Sequence, residues 1–265
     1  METDDANTSA QTVLSESVYA AAYGAQSSMG KTLYSTSSTT ASIKSFRERA
    51  HSLHGAVLSA TGIDDHEAFV KAVQEGFSES VVGSPISTTT PTFLGGEVRV
   101  HAPAGYTHLA LAFEASAKSP LMNVVKQCIS LANVEAGISG FTTEGVIGVY
   151  GGAAPSNAAV VADALCAAIV SAPSADVVER AKTLAKADAV FALDGGSQSL
   201  AQAMASSVLE TNTFSAAGLA AAYDAITAED VASAFETMAK SNPAMAAVGD
   251  LTSTPYQGSI SAKFG

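Results

Sequence analysis

The sequence predicts an α+β fold, and three features of its pattern carry that prediction. Between Phe93 and Ser116, Val98 and Val100 alternate with Arg99 and His101, and Leu109, Leu111 and Phe113 alternate with small alanines, the two-residue period of half-buried strands. Pro103 to Gly105 break the stretch in two, so it reads as a hairpin or a pair of adjacent strands. A long series of helical segments follows, and Ala244 to Val248 returns as a strand. Strands, then helices, then a returning strand describe a sheet with helices packed on it.

The elements follow in order. Thr12 to Gly24 reads as a helix, with Val13, Leu14, Val18, Ala21 and Ala22 near helical spacing and Gly24 as its stop. Ala25 to Thr40, rich in Ser, Thr and Gly, reads as a loop, and Thr40 to His51 as a second helix. Gly55 to Gly62 is expected to be a short strand bounded by glycines. Asp64 or Asp65 caps a helix whose Phe69, Val70, Val73 and Phe77 share one face. Ser78 to Pro91 has little periodicity and reads as the domain boundary, dividing residues 1–78 from residues 93–265 by a linker over 79–92. Beyond the central strands, Leu121 to Leu131 is helical, and strands are expected near Val134 to Phe141 and Val146 to Tyr150 around a Thr-Thr-Glu-Gly turn. Helices then span Ser156 to Ser171, Ala175 to Ala189, Ser197 to Leu209 and Ala216 to Tyr223. Thr227, with Asp230 three residues on, caps one more before the last strand and a Gly- and Ser-containing tail.

With 265 residues and 47% hydrophobic content, the chain is long enough to build its own core. Only 14% of residues are charged, which suggests that much of the surface faces protein. A net charge of −12 without any basic run argues against nucleic acid as a partner. No window reaches the ~20 uninterrupted apolar residues of a membrane-spanning helix; Ala158 to Ala172 comes nearest, with Asp163 inside it. Cys128 and Cys166 sit in apolar helical contexts without metal or redox spacing and read as buried free thiols, in keeping with a reducing compartment. The acidic start, Met-Glu-Thr-Asp-Asp, lacks the Arg-rich character of an organelle presequence.

No motif carries catalysis. His66-Glu67 is followed by Val70 where a helical zinc pair needs histidine. His51 and His54 with Glu48 admit a metal reading, but their spacing is not a standard one and a solvated helix end fits better. His101 and His108, on the two central strands, read as structural cross-strand neighbours. The glycine pairs at 95–96, 151–152 and 195–196 match no phosphate loop, and no Gly-x-Ser-x-Gly elbow occurs. No catalytic, cofactor or metal residue is assigned.

Several stretches, taken together, resemble the core subunits of mitochondrial complex III, those of the core protein 2 type above all, within the pitrilysin-like and mitochondrial processing peptidase family. They are Val18-Tyr-Ala-Ala-Ala-Tyr23 with Leu33-Tyr34, Gly62-Ile-Asp-Asp-His66, Gly95-Gly-Glu-Val-Arg99, His108-Leu-Ala-Leu-Ala-Phe-Glu114, Phe141-Thr-Thr-Glu-Gly-Val-Ile-Gly-Val-Tyr150, and Met245-Ala-Ala-Val-Gly-Asp-Leu251 with Thr254-Pro255. Their order along the chain is the family's order, and they cover most of Leu14 to Tyr256.

The resemblance implies a processing-peptidase-like sandwich of two similar halves, each a sheet with packed helices. The likeness begins late in the family's first half, so that half is expected to be incomplete. The family's inverted His-x-x-Glu-His zinc helix has no counterpart, and Ala115 to Pro120 passes directly to the next helix where processing peptidases carry a further helix and loop. Catalytic zinc needs three protein ligands and an open position, so the implied role is non-catalytic. The expectation is a structural subunit of respiratory complex III, peripheral on the matrix side of the mitochondrial inner membrane. Its partners would be other complex III subunits, especially one like core protein 1 or the processing peptidase β subunit, and a separate polypeptide completing the first half. The alternative is a non-catalytic piece of a processing peptidase subunit assisting a zinc-bearing partner. Tyr19, Tyr23, Arg99 and Tyr150 are the residues singled out for interface contacts.

Overall fold

The computed structural model describes residues 8–34, 38–80, 82–84, 91–102, 105–115 and 119–264. Half of the expected linker, part of the turn after His101, the first residues of the chain and part of the Ala115 to Pro120 passage lie outside these.

Two compact units divide the chain. One holds Met1–Ser35, Thr90–Lys186 and Ala222–Gly265; the other holds Thr36–Thr89 and Ala187–Ala221. The stretches 1–78 and 93–265 are therefore each shared between the two units, because the first helix packs on a sheet whose strands all come from beyond Gly95.

In the first unit, helix α1 (Ala10–Tyr23) starts at Ser9, whose hydroxyl accepts the Thr12 N–H at 3.3 Å, and stops at Gly24 with φ 82°. Its buried Leu14, Ser17, Val18, Ala21 and Ala22 form one stripe at helical spacing. The sheet contains β1 (Glu97–His101), β2 (Thr107–Glu114), β3 (Ser139–Thr143), β4 (Val146–Ala153) and β5 (Ala244–Gly249), in the order β1-β5-β2-β4-β3. β5 runs parallel to β1 and antiparallel to β2, and the β2–β4 and β4–β3 pairs are antiparallel.

This order corrects the expectation of a hairpin or adjacent pair over Phe93 to Ser116. β5 lies between β1 and β2, so His101 sits opposite Gly249 and His108 opposite Val248; the two histidines are not cross-strand neighbours. The alternation was genuine, but it cannot name the partner strand. The passage into β1 is tight. Gly95 has φ 65°, and a Cβ there would sit 2.7 Å from the Asn242 carbonyl oxygen. Leu94 and Gly96 donate their N–H groups to the Ala22 and Ala21 carbonyls at 2.6 and 3.0 Å, satisfying the end of α1.

The two faces of the sheet are filled differently. On the α1 side the floor is Ala110, Ala112, Ala244 and Ala246 with Val146 and Val248, all buried, and the missing side-chain bulk lets a single helix lie close over the central strands. On the other side Leu109, Leu111, Phe113, Ile147, Val149 and Met245 are buried. Here α4 (Pro120–Ala132) lies along β3 and β4, and α5 (Ala158–Val170) lies along β4 and β2. Helix α9 (Ala228–Ala239) packs on α4 and α5 through Val231, Phe235 and Met238, and starts with the expected Thr227–Asp230 capping box. Phe113 meets Phe264 edge to face at 5.4 Å, closing the chain's end over the core.

Three further expectations are corrected. Val134–Ala136 is a 3₁₀ turn ended by Gly137 at φ 65°, so β3 begins only at Ser139. The tail contains a short helix, α10 (Gln257–Ser261). In the second unit, Gly55 to Gly62 forms no strand; Ser59 and Thr61 instead donate their hydroxyls to the Ala201 and Ser197 carbonyls at 2.5 and 3.1 Å. Without a neighbouring strand the segment has no ladder to join, and side-chain bonds hold it. The second unit also contains α2 (Thr40–Ala50), α3 (His66–Gly76) and α7 (Ser197–Thr211), none with a buried residue. The remaining helices are α6 (Ala175–Leu193) and α8 (Ala216–Asp224).

Candidate interaction surface

Three of the four residues singled out by sequence gather on the α1 side of the sheet. Tyr19 and Tyr23, one helical turn apart, stack with centroids 6.4 Å apart. Their hydroxyls donate to successive carbonyls of the β3–β4 turn, Tyr19 to Glu144 at 3.1 Å and Tyr23 to Gly145 at 2.7 Å. The turn offers those carbonyls because Gly145, with φ 78°, closes a two-residue loop between Thr143 and Val146. Tyr23 is 5% exposed and meets Phe93 edge to face at 5.8 Å, so it is a core anchor with a polar tip. Tyr150 stands on β4, its hydroxyl 2.9 Å from Nδ1 of His108 and its ring stacked on that imidazole. A cleft of about 250 Å³ opens here between α1 and the β3–β4 hairpin, walled by Leu14, Val18, Tyr19, Phe141, Thr143 and Tyr150. Its lining is mixed, the apolar Leu14, Val18 and Phe141 standing beside the polar Gln11, Ser15 and Ser139.

Burial chiefly, then the charge of Glu114 and the neighbouring Tyr19, hold the Tyr23 phenol above its ordinary 10.0; burial does the same for Tyr150. The folded protein therefore keeps the Tyr23 proton to higher pH than the unfolded chain. Its contribution to stability is intact below pH 10.0 and is lost as pH rises through the elevated value. Tyr23→Phe is expected to lose about 1 kcal/mol at neutral pH, the net worth of one hydrogen bond, and to flatten the alkaline fall in stability. Urea titrations at neutral and alkaline pH read both effects. An unchanged midpoint at neutral pH would show that the Gly145 bond carries no weight.

Arg99 lies on the opposite side of β1, away from α1. It pairs with Glu97 at 2.9 Å, donates to the carbonyls of Leu251, Thr254 and Pro255 at 3.2, 3.1 and 3.0 Å, and lies 4.4 Å from the ring centroid of Tyr256. This clamp binds the segment after β5 to β1. The Tyr256 ring that covers it is 67% exposed, the one large aromatic face this arrangement presents outward. Sequence reasoning missed both His108 and Tyr256 as members of these clusters, since their partners lie far away along the chain.

Among the described residues, no three of His, Cys, Asp and Glu gather as a metal site. Both cysteines are buried free thiols, and burial pushes the Cys128 thiol up to about 11, which leaves it unreactive at neutral pH. Among the described residues, no single helix is long and apolar enough to cross a membrane, although the segments Pro155–Val170 and Ala175–Leu193, bent by 93°, pass by length and composition together.

No family model and no curated protein matches the sequence. The structure does have a likeness. The chain is similar to one from complex III2 of Candida albicans, solved with Inz-5 bound, with a TM-score of 0.79 at 14% identity over 99% of this chain and 72% of that one. The fold is shared. At this identity the likeness establishes the fold alone, an α+β architecture that in this chain is built on the mixed five-stranded sheet described above.

Proposed function

We propose that this chain is a structural subunit of mitochondrial respiratory complex III, of the core protein 2 type, peripheral on the matrix side of the inner membrane and without catalysis of its own. The observation that carries the reading is the fold likeness to a complex III2 chain over 99% of this sequence. The disposition of polar groups supports it: Arg99, Tyr19 and Tyr23 direct their donors at backbone carbonyls that hold segments together, an arrangement that stiffens a scaffold. The partner proposed for it is a subunit like core protein 1 or the processing peptidase β subunit. Fold alone does not fix function, so the test must be biochemical.

Native-gel separation of gently solubilised mitochondrial membranes, with this chain located by mass spectrometry and a haem spectrum taken on the same band, is that test. Comigration with b- and c-type haem is the expected outcome. Migration in a soluble, haem-free band with a zinc peptidase would overturn the proposal and assign the chain to presequence processing.

A further inference from the structure

The two edges of the five-stranded sheet are not alike. At the β3 edge, the N–H of Gly140 turns away from β4 and is taken by the Ser130 hydroxyl at 2.9 Å, so α4 reaches over that edge and blocks it. At the β1 edge nothing comparable occurs among the described residues. Met245 donates to the Gly96 carbonyl at 2.8 Å and Ala102 to the Gly249 carbonyl at 3.1 Å, which fixes the even-numbered residues of β1 as those bonded to β5. The N–H and C=O groups of Glu97, Arg99 and His101 therefore point outward, unpartnered among the described residues. Val98 and Val100 between them are only partly buried, and His101 is exposed. No proline, lysine or bulge interrupts the strand, and the two charges that could guard this short edge, Glu97 and Arg99, are paired with each other at 2.9 Å.

We propose that this edge pairs with the same edge of a second copy of the chain, antiparallel and centred on Arg99. The strand Glu97-Val98-Arg99-Val100-His101 is self-complementary in that register. Glu97 faces His101 of the other copy, carboxylate against imidazole, and does so twice by symmetry. Val98 faces Val100, a β-branched pair on the α1 side, also twice. The three outward-pointing residues of each copy fall opposite one another as hydrogen-bonded pairs, and each pair exchanges both of its bonds, so every open group on the edge is satisfied. The one like-charged juxtaposition, Arg99 against Arg99, is neutralised within each copy by Glu97 at 2.9 Å, while the guanidinium is turned to the carbonyls of Leu251, Thr254 and Pro255. The contact is isologous, which closes the assembly at two copies. The inference rests on the edge geometry and stands independently of the function proposed above.

Sedimentation equilibrium of the full chain from about 1 to about 100 μM, the affinity range of small interfaces, tests it directly. The expected result is a species of twice the 26.6 kDa chain mass, with the amides of Glu97, Arg99 and His101 exchanging slowly in step with its population. A mass that stays at 26.6 kDa throughout overturns the proposal, as does a dimer in which those amides exchange freely. Two substitutions at exposed His101, checked by circular dichroism for an unchanged fold, separate this edge from any other. His101→Glu sets two carboxylates opposite each other at both ends and is expected to raise the dissociation constant about tenfold at low salt. His101→Lys places an ammonium opposite Glu97 and is expected to leave association as tight or tighter. Equal behaviour of the two variants places the contact elsewhere and refutes the pairing.

Discussion

Arg99→Ala is expected to release the segment from Leu251 to Phe264 from the sheet and to lower stability by about 3 kcal/mol, since charge-assisted hydrogen bonds are worth more than neutral ones and truncation strands their acceptors. The side chain makes one ion pair, three bonds to carbonyls and a ring contact, and is 20% exposed, so its charge is only partly screened. The three carbonyls belong to a turn with no ladder of its own. Without the guanidinium, Glu97 also keeps a part-buried carboxylate with no partner. Arg99→Lys is expected to recover little, because one ammonium cannot reproduce a planar fork spread over four acceptors. Urea unfolding gives the energy. Hydrogen exchange gives the location, with amides from 251 to 264 losing protection first while those of β2 and β4 hold. Uniform loss of protection across the sheet, or full rescue by lysine, would sink this account of Arg99.

The same residue shows what a sequence discloses and what it withholds. Alternation marked Arg99 as lying on a strand, and its charge marked it as worth notice, yet nothing in Glu97 to His101 announces that its acceptors are Leu251, Thr254 and Pro255. Local pattern is a record of which face is buried. It is silent on which distant strand or turn covers that face. So α1, α4, α9 and β2 were legible from spacing and capping, whereas the insertion of β5 between β1 and β2 was not. The segment from Gly55 to Gly62 failed for a different reason: a short apolar run between glycines reads alike whether it enters a ladder or is held by its hydroxyls, as Ser59 and Thr61 are here. Tyr19 and Tyr23 were singled out for contact with other chains, and their hydroxyls meet the carbonyls of Glu144 and Gly145 within this one.

The alanines of the central strands are the quietest part of the sequence, and the second large effect is expected there. Ala110, Ala112, Ala244 and Ala246 are at most 1% exposed and form the floor on which α1 lies. A small residue in a strand is unfavourable by propensity, and these positions make sense only if the bulk is supplied from above by Leu14, Val18 and Tyr23. Ala246 sits at the centre of that floor, paired with Val98 on one side and Ala110 on the other. Ala246→Leu inserts a branched side chain into a space already packed to interior density, so either α1 lifts or the leucine leaves its preferred rotamers. The expected loss is about 3 kcal/mol, the upper part of the range for overpacked cores, with Ala246→Val costing less. A second change, Val18→Ala in the same cluster, is expected to return part of the loss when combined with Ala246→Leu while being destabilising alone. Denaturation midpoints of the two single variants and the double complete the cycle. Strict additivity would mean that α1 does not press on this floor, and the alanines would then need another explanation.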